Sequence, residues 1–114
     1  MNIKATSTLA NFSVGEFCIV PSRNLVSKAG QESSITPKML LVLTELAKHQ
    51  GETLSKEHLI IAIWGSINTS DMVLSRAISD LRKVFSDSAK QQNYIETVTK
   101  QGYRLKQPVI WQTT

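Results

Sequence analysis

Apolar positions change their spacing twice along this chain. From Phe12 to Val20 they alternate or run together, Phe12-Ser13-Val14-Gly15-Glu16-Phe17-Cys18-Ile19-Val20, in β-favouring residues broken by Gly15. Pro21-Ser22-Arg23-Asn24 is a turn signal, and Leu25-Val26 and Ser33-Ser34-Ile35 flank a second turn at Gly30. These segments predict a small antiparallel sheet of three or four strands.

Helical spacing follows. Thr36-Pro37 starts a helix, with threonine as cap and proline at the first helical position, where no N–H partner is needed. Leu40, Leu43, Leu46 and Ala47, with Met39 and Val42, form a wide apolar stripe that runs to about His49, and Gly51 supplies the stop. Ser55 opens a second, shorter helix, with Glu57 in its first turn, Leu59, Ile60, Ile63 and Trp64 on its buried side and Gly65 at its end. Thr69-Ser70-Asp71 caps a third helix that reaches about Phe85. At 100° per residue, Leu74, Ala77, Ile78, Leu81 and Phe85 fall on one side of it. Met72, Arg76, Ser79 and Lys83 fall on the other, with Ser75 and Arg82 on one flank and Asp80 on the opposite one.

After a polar loop, Tyr94-Ile95-Glu96-Thr97-Val98 and Tyr103-Arg104-Leu105 read as two strands joined by Thr99-Lys100-Gln101-Gly102, a β-hairpin with glycine where φ > 0 is needed. The predicted class is α+β: an N-terminal sheet, three helices and a C-terminal hairpin. Residues 1–11 are expected to be a tail, 12–106 the domain, and 107–114 a tail or the start of a linker.

Composition narrows the partners. Thirteen basic against nine acidic residues give a net charge of +4, and the excess is uneven. Residues 1–68 carry six basic and five acidic side chains, and residues 69–114 carry seven and four. The cationic balance lies with the third helix and the hairpin, which suits a polyanionic partner. Cys18 is the only cysteine, so an intrachain disulfide and a cysteine-based zinc site are excluded, and it is read as a small core residue of its strand. No stretch approaches the roughly 18 apolar residues of a membrane span, and no secretory signal is visible, so a cytoplasmic setting is expected. His49 and His58 stand too isolated to suggest a metal site. No nucleophile–base arrangement, carboxylate pair or phosphate-cradling glycine loop appears, so neither an enzyme nor a cofactor is expected. Trp64 and Tyr103 are read as packing residues.

Helix, short turn, helix and hairpin make the layout of a winged helix-turn-helix, in which one helix fits the major groove and the hairpin reaches the backbone or the minor groove. The segment Ile78-Ser79-Asp80-Leu81-Arg82-Lys83, followed by Tyr94-Ile95-Glu96-Thr97-Val98-Thr99-Lys100-Gln101-Gly102-Tyr103-Arg104-Leu105, resembles the OmpR/PhoB winged-helix family. Thr36-Pro37-Lys38, Ser55-Lys56-Glu57-His58-Leu59 and Ile63-Trp64-Gly65 fit the same pattern in order, so the resemblance covers about residues 12–106. Its wording is nearest to the ToxR/CadC branch, although Thr99 and Gln101 stand where that branch usually has proline and arginine. Asp80 stands where the response-regulator branch often has arginine.

The resemblance implies a bacterial transcription regulator that reads double-stranded DNA with residues 70–85 in the major groove and 94–105 as wing. On that reading Arg76 and Ser79 meet base edges, with Ser75 beside them, and Lys83 reads or pairs with phosphate. Arg82, on the flank, holds phosphate. Thr69 and Ser70 donate to phosphate at the helix N-terminus. Lys100, Gln101 and Arg104 follow the backbone or enter the minor groove. The domain is expected to be a monomer without DNA and to pair only on DNA half-sites. The branch further implies a membrane-anchored sensor region that this chain does not contain. The competing reading is a winged helix that binds protein, contacting RNA polymerase through the loop 65–69 or a partner regulator through the N-terminal sheet.

Overall fold

Alternation decides which way each side chain of the N-terminal third faces. The computed structural model describes residues 10–66 and 68–112, so most of the expected N-terminal tail lies outside the described residues. The order of elements is β1 (Phe12–Val14), β2 (Phe17–Val20), β3 (Leu25–Lys28), β4 (Gln31–Ser34), α1 (Pro37–Lys48), β5 (Thr53–Ser55), α2 (Lys56–Trp64), α3 (Asp71–Val84), β6 (Ile95–Val98), β7 (Gly102–Leu105) and β8 (Val109–Trp111). The first four strands form an antiparallel meander with Phe12, Val14, Phe17, Ile19 and Val26 directed inward and buried. Period two then turns Cys18, between Phe17 and Ile19, outward. It is exposed, which corrects its reading as a core residue.

The meander carries one strand more than expected. Part of the segment expected as tail or linker, β8, pairs antiparallel with β1, Phe12 opposite Trp111 and Val14 opposite Val109. The sheet order is β4-β3-β2-β1-β8. The Phe12 and Trp111 rings meet at 4.5 Å, so the pairing also covers apolar surface.

Each helix begins where the sequence places a cap. The Thr36 hydroxyl accepts from the Met39 N–H at 3.1 Å, Ser55 Oγ from the His58 N–H at 3.0 Å, and Ser70 Oγ from the Met72 N–H at 3.1 Å. Gly65 ends α2 in the left-handed conformation, its N–H bonded to the Ile61 carbonyl. Leu40, Val42, Leu43 and Leu46 of α1 are buried together with Leu59, Ile60 and Ile63 of α2 and Leu74, Ile78 and Leu81 of α3. Burial of each such side chain contributes about 1.5–3 kcal/mol. Trp64 packs half-buried against this core, as expected, while Lys38 donates to the Ile63 carbonyl at 3.0 Å and lies over the Trp64 ring.

The hairpin of β6 and β7 gains a third, unpredicted partner in β5, giving the order β5-β7-β6. Leu54 stands opposite Tyr103, and both are buried, which fits the packing role expected of Tyr103. Gly102 permits this approach. A Cβ there would lie 1.9 Å from the Leu54 carbonyl oxygen, an impossible contact with backbone that cannot move aside.

Two side chains tie α3 to the wing. Arg82 is 7% exposed, and its guanidinium donates through Nε and Nη2 to the Ile95 carbonyl at 3.1 and 2.8 Å, and through Nη2 to Thr97 Oγ1 at 2.9 Å. Asp87, just past the end of α3, accepts from the N–H groups of Asn93 and Tyr94 at 2.8 Å and of Ile95 at 3.3 Å. Burial raises the Asp87 carboxyl pKa, but backbone donors at Tyr94, Asn93, Ser88 and Ile95 outweigh it and leave the group below its ordinary value. Beside this clasp, Phe85 stacks on Tyr94 at 4.9 Å and both meet Phe17 edge-on, joining sheet, helix and wing.

Three outcomes follow. Arg82→Ala removes charge-assisted hydrogen bonds and leaves a buried carbonyl without its donor, so chemical denaturation is expected to show a loss of about 2–3 kcal/mol, with Arg82→Lys recovering little of it. Asp87 holds its proton less tightly when folded than when unfolded. Its contribution is therefore present above the ordinary carboxylate value of about 3.8 and lost as pH falls through the lower folded value. Asp87→Asn is expected to be less stable than the parent at neutral pH, with the gap closing below about pH 4; a gap that widens in acid contradicts the sign. Thr44 is buried in α1 with its hydroxyl oxygen lacking a hydrogen-bond partner among the described residues. Thr44→Val keeps the shape and removes the unmet hydroxyl, so it is expected to stabilise the fold by about 1 kcal/mol, read as a higher Tm.

Candidate nucleic-acid interface

The two sides of α3 have opposite chemistry because its apolar residues recur at helical spacing. Leu74, Ala77, Ile78 and Leu81 are buried, while Met72, Ser75, Arg76, Ser79 and Lys83 are all exposed. The buried side fixes the rotation of the helix, and the rotation sends Arg76 to the middle of the exposed face. Ser70 caps the N-terminus of α3, and the Thr69 N–H is taken by the Ser66 carbonyl at 3.1 Å. Both hydroxyl-bearing residues stand where the first helical N–H groups emerge.

The wing tip closes a cleft against the helices. The Gln101 N–H donates to the Val98 carbonyl at 2.9 Å, forming a tight turn in which Lys100 takes a positive φ of 64°. Lys100 and Gln101 thereby face Ser55, Lys56 and Glu57 at the start of α2 and Asp71 at the start of α3 across an open cleft. Lys56 joins the cationic residues here, although the sequence reading passed over it as part of a helix start. Among the described residues no carboxylate pairs with Lys56, Arg76, Lys83 or Lys100.

The structure separates the arginines that the sequence reading grouped. Arg82, expected to hold phosphate from the flank, is turned into the protein, because that flank of α3 faces β6 and not solvent. Its Nε and Nη2 are engaged by the wing. Arg104, expected along the wing surface, sits mid-strand opposite Glu96 and is held by that carboxylate through Nε at 2.9 Å and through Nη2. Arg82 is thus no open cation, whereas Arg104 is ion-paired but keeps a side chain that is 40% exposed. Met72, 77% exposed, and Val73 add apolar atoms to the same face as Arg76, a feature that a search for cations alone passes over.

Two further expectations concern other sites. His49 and His58, isolated in sequence and read there as no metal site, are brought together with Glu45 by the packing of α1 on α2. The loop 65–69, expected as a contact for RNA polymerase, contains position 67, which lies outside the described residues. Among the described residues no helix is long and apolar enough to cross a membrane.

Known proteins share this arrangement. Residues 30–105 match the family "Transcriptional regulatory protein, C terminal". The transcriptional activator CadC of Escherichia coli is 38% identical over 99 residues, covering 86% of this chain but 19% of CadC. The solved DNA-binding domain of E. coli CadC superposes with a TM-score of 0.81 at 36% identity, covering 90% of this chain and 97% of that domain. The DNA-binding domain of Klebsiella pneumoniae RstA, solved in complex with the RstA box, gives a TM-score of 0.75 at 29% identity, covering 84% and 96%. The chain thus spans about a fifth of the length of the curated CadC relative. It belongs to the transcriptional regulatory protein C-terminal family and has the OmpR/PhoB-type winged-helix fold.

Proposed function

We propose that this chain is the duplex-DNA-reading domain of a bacterial transcription regulator, acting in the cytoplasm. The observation that carries the proposal is the exposed face of α3, where Arg76, Ser79, Ser75 and Lys83 are presented by a helix whose opposite side is locked in the core. An α-helix fits the major groove, and arginine at the centre of the entering face can donate two hydrogen bonds to guanine O6 and N7. Met72 and Val73 suit thymine methyl groups. The Thr69 and Ser70 hydroxyls, at the N-terminus of α3, would donate to phosphate. Lys100 and Gln101 at the wing tip, with Lys56 across the cleft, would follow the backbone on either side.

Arg82 has a different part in this reading: it sets the distance between helix and wing and does not touch DNA. Arg104 stiffens the wing. The small share of CadC that the chain covers supports a longer regulator here, in which a membrane-anchored sensor would control the domain and RNA polymerase would be a second partner through the loop 65–69. The domain itself is expected to be monomeric and to pair on adjacent half-sites of DNA.

Four open cations, Lys56, Arg76, Lys83 and Lys100, set the salt dependence. Each phosphate neutralised contributes about 0.9 to the slope of log affinity against log salt, so a monomer should show a slope of about −3 to −4. Fluorescence anisotropy with a labelled duplex measures it, and binding that stays flat between low and moderate salt would sink the proposal. Arg76→Ala is expected to relax preference at one or two base pairs, by about 1–3 kcal/mol of discrimination, with non-specific affinity nearly unchanged. Lys100→Ala should instead weaken all sequences alike and reduce the slope by about one. Site selection from a random duplex pool separates the two; an unchanged preference for the Arg76 variant would place the reading face elsewhere.

A further inference from the structure

Two imidazoles and a carboxylate converge on a surface outside the cleft. Glu45 and His49, four residues apart near the end of α1, share one side of that helix. His58 approaches them from the first turn of α2. Glu45 Oε2 lies 2.7 Å from His58 Nε2 and 3.7 Å from His49 Nε2, and the three potential ligand atoms all lie within 4.8 Å of one another. The two imidazole rings are nearly perpendicular, with centroids 6.0 Å apart. None of the three residues lines the cleft between helices and wing.

We propose that Glu45, His49 and His58 form a divalent transition-metal site of the Zn²⁺ type that ties the end of α1 to the start of α2. Zinc takes imidazole nitrogen and carboxylate oxygen at about 2.0–2.2 Å in tetrahedral geometry, which spaces neighbouring ligand atoms by about 3.3 Å. The separations of 2.7 and 3.7 Å straddle that spacing. All three side chains are partly exposed, so rotations about their own bonds can bring the nitrogens and the oxygen to the required distances. Two nitrogens and one oxygen suit zinc and its neighbours in the transition series, whereas magnesium and calcium select all-oxygen sets. Glu52 Oε1 stands 3.8 Å from Nδ1 of His49, the nitrogen that would not bind metal. The Glu52 side chain is largely exposed, and a rotation that closes this gap to hydrogen-bond distance would orient the ligating imidazole and raise its basicity. Three protein ligands leave the fourth position to water, and the bound ion would cross-link two helices.

Isothermal titration of untagged, metal-stripped protein with ZnCl2 tests the site, with thermal melts alongside. One zinc per chain is expected. Its presence at a hundredfold over Kd should raise Tm by about 10 °C. His49→Ala, His58→Ala and Glu45→Gln should each lose at least about tenfold in affinity together with the Tm increment, while Glu52→Gln should lose up to about tenfold. Their metal-free melting temperatures, compared with that of the parent, separate loss of a ligand from loss of the fold. Absence of saturable binding, binding unchanged in the three ligand variants, or one zinc per two chains with dimer formation would each overturn the proposal.

Discussion

The dry side of α3 is the constraint on which the rest of this domain depends. Leu74, Ile78 and Leu81 leave water by joining the buried cluster that also holds Leu43 and Leu46 of α1 and Leu59 and Ile60 of α2, and that packing fixes both the position of α3 and its rotation about its own axis. Rotation is the functional quantity. A turn of 100° would bury Arg76 or expose Leu74, and either outcome costs several kcal/mol in a core of this density. The exposed face is therefore presented without any contact of its own to hold it.

The wing needs a separate tether, because a two-stranded hairpin is marginal in isolation. Three devices supply it. The strand β5 adds backbone hydrogen bonds on one edge, made possible by the absence of a side chain at Gly102. Phe17, Phe85 and Tyr94 add an aromatic contact at its base. Arg82 and Asp87 join it to the end of α3 through charged groups that satisfy backbone carbonyl and N–H groups of residues 93–95. Helix and wing are thus coupled at one end of α3, while the opening of the cleft lies at the other, between Lys100 and the starts of α2 and α3.

Much of this was legible in the sequence, and the reasons for what was not are specific. Caps at Thr36, Ser55 and Ser70 and the stripe on α3 are local features, so helix boundaries and the exposed face of α3 could be drawn from neighbouring residues. The strands β5 and β8 are three residues each and owe their existence to partners some fifty and ninety-five residues away, which no window along the chain reveals. A helical wheel places Arg82 on a flank but does not say that a strand will arrive there to bury it. The same blindness hid the meeting of His49 with His58. The pairing of Arg104 with Glu96 depends on the register of two strands, which the sequence reading did not work out.

The central claim is that DNA meets the solvent side of α3 and the wing tip, with Arg82 inside. Amide shift mapping by NMR during titration with a cognate duplex tests it directly. Perturbations are expected over residues 70–83 on the solvent side, over 55–57 and over 99–101, with β1 to β4 quiet and the Arg82 Nε–H still protected from exchange. Perturbations concentrated on the N-terminal sheet with α3 unmoved, or rapid exchange at Arg82 Nε–H, would contradict it.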